Sequence, residues 1–233
     1  MRNPDDPARR KREPLYFSKK ISYSENRRRA DKAASYNVKY ENLFHKRVSN
    51  RRERRLLEEI LAEAGRQERI LDVPCGAGRL SDVLSQYGEK VCEVDYSFEM
   101  VKLCRLNARN YTPLPAAASA FDLPFRDETF GLVASIRLSH HIPDHAGRVA
   151  HLKELLRVSH RFVLVTFFEE ASLKNRMRNL KRRFVRSTRQ KLTLKQAEVA
   201  DVAREAGFVI RTARPLSRVF SGHTFALLER KTG

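Results

Sequence analysis

The sequence predicts an α/β fold: a doubly wound, mostly parallel sheet of seven strands, with an antiparallel edge strand and helices on both faces. Three observations predict it. Short apolar runs alternate with helical segments of roughly 10–13 residues, the pattern of crossover units in a parallel sheet. The first run ends in a glycine turn that opens the next helix. The last two runs are joined by too short a link for a crossover helix, so they pair antiparallel at one edge.

The elements follow in order. Residues 1 to about 20 are rich in Pro, Arg and Lys and read as a poorly ordered basic arm. Residues 21–233 read as a single domain. From Asn26 to Ala64 the pattern is helical: Tyr36, Tyr40, Leu43 and Phe44 share one face, and Leu56, Leu57, Ile60 and Leu61 form the stripe of a second helix stopped by Gly65. These N-terminal helices end by residue 66, and a strand-and-helix core covers 67–170. It holds strands at Arg69–Val73, Lys90–Val94, Thr112–Ala117, Phe130–Ile136 and Phe162–Phe168, with helices at Arg79–Tyr87, Phe98–Asn107 and Ala146–Val158. A basic insert over 171–192 precedes a helix opened by Thr193, whose spacing to Gln196 is that of a capping box, and ended by Gly207. Strands at Phe208–Ala213 and Thr224–Leu228 close the chain.

Charge is distributed unevenly. The formal net charge is +19; residues 1–69 carry +9, residues 70–170 carry −2 and residues 171–233 carry +12. A near-neutral body with basic flanks points to an anionic partner or surface. No run approaches the ~18 apolar residues of a bilayer span, and the N-terminus lacks the apolar segment of a secretory signal. The expected location is therefore cytoplasmic, with peripheral contact at the inner face of a membrane left open. The three cysteines, Cys75, Cys92 and Cys104, have no metal or redox spacing and read as reduced packing residues.

The chemistry concentrates at the first strand and its turn, Leu71-Asp72-Val73-Pro74-Cys75-Gly76-Ala77-Gly78. Glycine lets the backbone turn sharply and approach a ligand with no Cβ in the way. Asp95 lies 19 residues beyond Gly76 at the end of the second strand, where a carboxylate can accept hydrogen bonds from both hydroxyls of a ribose. The rival is a dinucleotide site, which wants the full G-x-G-x-x-G. Pro74 at its first position argues against a cradled pyrophosphate.

The turn resembles motif I of the class I S-adenosylmethionine-dependent methyltransferases, a Rossmann-like family. Val94-Asp95-Tyr96-Ser97-Phe98-Glu99-Met100 resembles the acidic-loop motif that follows it, and Ala118-Ser119-Ala120-Phe121-Asp122-Leu123-Pro124-Phe125 the next block. Phe130-Gly131-Leu132-Val133, Ser139-His140-His141-Ile142 and Glu154-Leu155-Leu156-Arg157-Val158 resemble the stretches around strands four and five. The look is of the branch that includes ubiquinone- and menaquinone-biosynthesis methyltransferases, over residues 56–170 and more loosely beyond. The resemblance implies S-adenosyl-L-methionine as cofactor. By it, Asp72, Pro74, Gly76, Ala77 and Gly78 shape and line the methionine end, Asp95 binds the ribose, Tyr96 lies along the adenine, Ser119 and Ala120 meet the adenine edge, and Ser135 and Ile136 pass beside the sulfonium. Two positions depart from the family: Ser119 stands where an acid is common, and Gly131 where Asp is usual.

Methyl transfer needs an aligned nucleophile and often a base. His140 and His141, just past strand four, are the candidate bases, the alternative being that one packs the loop and the other is solvated. Arg137 either orients an anionic acceptor or forms a surface ion pair. His140, His141 and His145 lack the Cys or carboxylate set that would complete a metal site, so no metal is expected. From Lys174 to Lys191 there are nine basic residues and no acid, with Leu173, Met177, Leu180 and Phe184 at helical spacing. That segment either lies on an anionic membrane, tracks phosphates, or packs its stripe on the domain. The expected acceptor is a small molecule or lipid-linked, anionic or amphiphilic, covered by this insert and the Tyr36–Phe44 face; the alternative is RNA.

Overall fold

The computed structural model describes residues 44–168, 194–217 and 223–231. The basic arm, Tyr36, Tyr40 and Leu43, and the insert at 173–191 lie outside the described residues.

Helix α1 (Phe44–Ala64) turns Leu56, Leu57, Ile60, Leu61 and Ala64 to the core at helical spacing. It stops at Gly65, whose φ of +71° only glycine adopts cheaply. Strand β1 (Gln67–Asp72) follows, then a single helical turn α2 (Ser81–Leu84), β2 (Gly88–Asp95), α3 (Phe98–Asn107), β3 (Leu114–Ala117) and β4 (Phe130–Ser135). After a 3-10 turn at Ser139–His141 come α4 (His145–Val158), β5 (Ser159–Phe168), α5 (Gln196–Glu205), β6 (Phe208–Pro215) and β7 (His223–Arg230).

The seven strands lie in the order β3-β2-β1-β4-β5-β7-β6. The first five run parallel; β7 is antiparallel to both β5 and β6. β7 is inserted one place in from the edge, which leaves the edge strand β6 running with the parallel set. Side-chain alternation splits the core across the sheet. Leu71, Val133, Val163 and Ala226 face α4 and α5, while Ile70, Leu132, Leu164 and Leu227 face α1 and α2. All six residues of β4 are buried, as expected for a strand covered on both faces.

Two elements depart from expectation. The helix expected over Arg79–Tyr87 is one turn long. The chain tightens after Leu84 into i→i+3 bonds, Gln86 N–H to Val83 O and Tyr87 N–H to Leu84 O, and the Tyr87 hydroxyl donates to the Glu58 carbonyl of α1. Gly88 is therefore the first residue of β2 rather than a helix stop, and a Cβ there would sit 2.9 Å from the Ile70 side chain. The helix expected to open at Thr193 opens at Gln196, where the Glu198 carboxylate accepts from the Lys195 backbone N–H at 2.6 Å; Thr193 itself lies outside the described residues. Among the described residues no helix is long and apolar enough to cross a membrane.

Gly131 illustrates how tightly β4 meets β1. A Cβ there would lie 2.5 Å from Gln67 Oε1, and the Gln67 amide is held by the Ala64 and Gly65 carbonyls that end α1. Gly131→Ala should destabilise the fold by about 1–3 kcal/mol in urea denaturation, and combining it with Gln67→Ala should cost less than the sum of the two. Strict additivity would remove this steric account.

Candidate active site

The carboxyl ends of β1, β2 and β4 meet at the switch point between β1 and β4, where an open parallel sheet presents a crevice. The turn after β1 is built by backbone bonds: Cys75 N–H donates to Val94 O at 2.9 Å and Gly78 N–H to Cys75 O at 3.1 Å. Gly76 has φ +56° and nothing within 4 Å of where its Cβ would be; Gly78 has φ +76°, and its Cβ would touch Cys104 Sγ at 3.0 Å. The first glycine thus leaves open space before the turn, and the second lets α3 close on it from behind. Asn107 braces the same turn from α3, donating to the Ala77 carbonyl at 2.9 Å.

Asp95 joins this turn to β2. Its Oδ2 accepts from Gly76 N–H at 3.0 Å and its Oδ1 from Ser97 N–H at 2.8 Å. Tyr96, next along the chain, is exposed. Asp72 is buried and accepts from the Ser81 hydroxyl at 2.8 Å, so it shapes the turn from behind. Burial pushes its carboxyl up to about 7, against the opposing Ser81 bond. Half-buried Pro74 and buried Ala77 complete the turn.

The loop after β3 is tied to the same strand end, Ala118 N–H donating to Asp95 O at 3.1 Å. There the Ser119 hydroxyl accepts from Phe121 N–H at 3.2 Å. The Ala120 carbonyl receives His151 Nδ1 at 3.0 Å, while His151 Nε2 lies 3.0 Å from Ser135 Oγ. Burial pushes His151 down to about 4, so the ring is neutral at physiological pH. A neutral imidazole that donates to Ala120 through Nδ1 must accept from the Ser135 hydroxyl through Nε2. His151 thereby links the loop at Ser119–Ala120 to the end of β4, where Ser135 and Ile136 are buried.

Arg137 is an ion-pair residue, and the pair is internal rather than on the surface. Its backbone, at φ +65°, donates to Thr166 Oγ1 at 2.7 Å, and its Nε donates to Glu53 Oε1 at 2.8 Å. Glu53, fully buried on α1, binds Arg79 Nη1 through its other oxygen at 2.7 Å. One carboxylate therefore clamps the guanidinium that follows the glycine turn and the one that follows β4. Arg137 enters this clamp through its Nε.

His140 and His141 lie half-buried in the 3-10 turn with ring centroids 4.0 Å apart, and His140 meets His223 of β7 edge-on at 5.4 Å. Among the described residues no group of three or more His, Cys, Asp or Glu side chains could hold a metal ion. Sequence reasoning did not single out Glu53, Arg148 or His151. All three are polar residues on the apolar stripe of a helix, Glu53 with Leu57 and Ile60, Arg148 and His151 with Leu152 and Leu155. That placement was the available signal.

Residues 71–164 match the family described as "Methyltransferase domain". That segment is a class I methyltransferase domain. The domain is 35% identical over 89 residues to a human protein named "Probable tRNA methyltransferase 9B", a match covering 38% of this chain and 18% of that one. It is 29% identical over 96 residues to the "Ubiquinone biosynthesis O-methyltransferase" of Leptothrix cholodnii, covering 38% of this chain and 40% of the relative. The chain thus spans less than half the length of these curated relatives. Among solved structures, magnesium protoporphyrin IX methyltransferase from Synechocystis PCC 6803, with bound SAH, superposes with a TM-score of 0.68 at 18% identity, covering 81% of this chain and 88% of that one. At that identity the likeness shows the fold of the methyltransferase domain.

The two buried titratable groups make opposite pH predictions. An unfolded chain protonates His151 below about pH 6.5, whereas the folded chain resists until about 4. Stability is thus lost as the pH falls through that window, and the deficit of His151→Gln should be smaller at pH 5 than at pH 7.5. Folded Asp72 keeps its proton to about pH 7, while the unfolded chain loses it near 3.8. Stability is lost as the pH rises between the two values, so Asp72→Asn should gain on the parent across them. Urea midpoints at pH 5 and 7.5 check both; pH-independent differences would contradict them.

Proposed function

We propose that the chain is an S-adenosylmethionine-dependent methyltransferase acting on a small-molecule or lipid-linked acceptor. The observation that carries this is the contact of Asp95 with Gly76 N–H, which sets a carboxylate edge to edge with a bare backbone turn at the sheet's crevice. The residues fit an adenosyl cofactor. Open space stands before Gly76, an acid sits at the second strand's end, exposed Tyr96 flanks it, and the Ser119–Ala120 loop is bonded to the same strand end. Gly76, Ala77 and Gly78 would hold the methionine end, with Pro74 fixing the turn and Asp72 supporting it from behind. Asp95 would hold the ribose, Tyr96, Ser119 and Ala120 the adenine, and Ser135 and Ile136 would flank the sulfonium.

When bound, the cofactor supplies an electrophilic methyl group on a charged sulfur. The chain's own task is to hold donor and acceptor in line and keep water out. Neutral His151 places no positive charge beside the end of β4 and fixes the Ser135 hydroxyl. His140 and His141 are the candidate bases for an acceptor that must lose a proton. The human relative named as a tRNA methyltransferase and the basic flanks favour a second reading, transfer to RNA.

Calorimetry with S-adenosylhomocysteine tests the cofactor assignment. Loss of a charge-assisted bond costs about 1.5–3 kcal/mol, so folded Asp95→Ala should bind at least tenfold more weakly than the parent; equal affinity would overturn the assignment. Methyl-label transfer to fractionated cell extract then separates the acceptors: label in small molecules or lipid supports the first reading, and label in RNA the second.

A further inference from the structure

Arg148, in the first turn of α4, is about 94% buried, and among the described residues no carboxylate lies within ion-pair distance of it. Other partly buried guanidiniums at this end of the sheet have a carboxylate partner: Arg79 and Arg137 share Glu53, and Arg54 meets Asp82. Arg148 Nη1 donates to the Ile142 and Pro143 carbonyls at 2.7 and 3.1 Å, but its buried Nε has no acceptor. A buried charge is ordinarily paired, and a buried N–H ordinarily bonded, because leaving either bare is costly.

Arg148 lines a cavity of about 20 Å³, room for a water-sized group. Ser135, Ser139, His151 and Thr166 supply its polar wall, and Leu155 and Phe167 are among its apolar residues. Ser135 is also the residue assigned to the sulfonium side of the cleft, so the cavity adjoins the place where an acceptor must sit. The Thr166 hydroxyl accepts from Arg137 N–H and keeps its own hydrogen to donate. His151 is uncharged, so Arg148 is the full charge on this wall. A water in the cavity would leave the charge bare, whereas a carboxylate oxygen would pair it.

We propose that this cavity is an acceptor subsite that takes one carboxylate oxygen of an organic acid whose apolar body stays outside it, Arg148 being its counter-ion. The proposal rests on the methyltransferase reading and names the acceptor's chemical class. Arg148 and Ser139 select the acid group, and the apolar lining disfavours a highly hydrated polyanion.

The test uses the full ¹⁵N-labelled chain and follows the Nε–H resonance of Arg148, assigned through its side-chain correlations. Benzoate is the probe, benzamide its uncharged counterpart and inorganic phosphate the general anion, each titrated with and without S-adenosylhomocysteine. Benzoate should shift the Arg148 signal saturably, with at least tenfold tighter binding than benzamide or phosphate. Arg148→Lys should lose at least tenfold in benzoate affinity while holding S-adenosylhomocysteine within twofold of the parent. An Arg148 signal that benzoate leaves unmoved, or an equal response to benzamide or phosphate, would overturn the proposal, even if Arg148→Lys failed to fold. Failure of S-adenosylhomocysteine to bind would strike the cofactor reading instead, and the benzoate titration without it would still decide the subsite.

Discussion

The contact on which the site depends is the fork of Asp95, one carboxylate oxygen on Gly76 N–H and the other on Ser97 N–H. It ties the turn after β1 to the start of α3 and holds that turn where Gly76 can adopt a positive φ with space before it. A charged acceptor bonded to two backbone donors is among the stronger local interactions a protein makes. Around it the other braces act in concert: α3 closes behind Gly78, Asn107 holds Ala77, and Ser81 secures Asp72 beneath. The glycine turn is shaped before any ligand arrives, which reduces the cost of ordering it on binding.

A second constraint joins the N-terminal helix to the same crevice. Glu53 bridges Arg79 and Arg137, so α1 is latched to the segment after the glycine turn and to the segment after β4 at once. Its neighbour Arg54 adds a paired contact to Asp82 and a bond to the Arg79 carbonyl. Buried pairs of this kind contribute less to net stability than to holding one arrangement, because both charges forgo hydration. Here the arrangement sets two loops of the crevice relative to one another.

The strands were legible because each is an apolar run bounded by glycine, proline or charge, and β4, covered on both faces, is apolar almost throughout. Gly76 and Gly78 were legible because a positive φ restricts which residue types can stand there, and Asp95 because an acid ends the second strand at a set distance from that turn. Other features were not. The shortening of α2 follows from Tyr87 reaching the Glu58 carbonyl, 29 residues away. The insertion of β7 between β5 and β6 depends on pairings that a short connecting link leaves open. Glu53, Arg148 and His151 gain their meaning from distant partners, Glu53 meeting Arg137 across 84 residues. A polar residue on an apolar stripe signals that some partner exists but does not name it.

The account comes down to whether adenosine rests on the Gly76–Gly78 turn with its ribose on Asp95. A crystal structure of the chain soaked with S-adenosylhomocysteine addresses this most directly. The account predicts both ribose hydroxyls on the Asp95 carboxylate and the sulfur near Ser135. Density for the ligand elsewhere, with Asp95 bonded only to its two backbone amides, would contradict it.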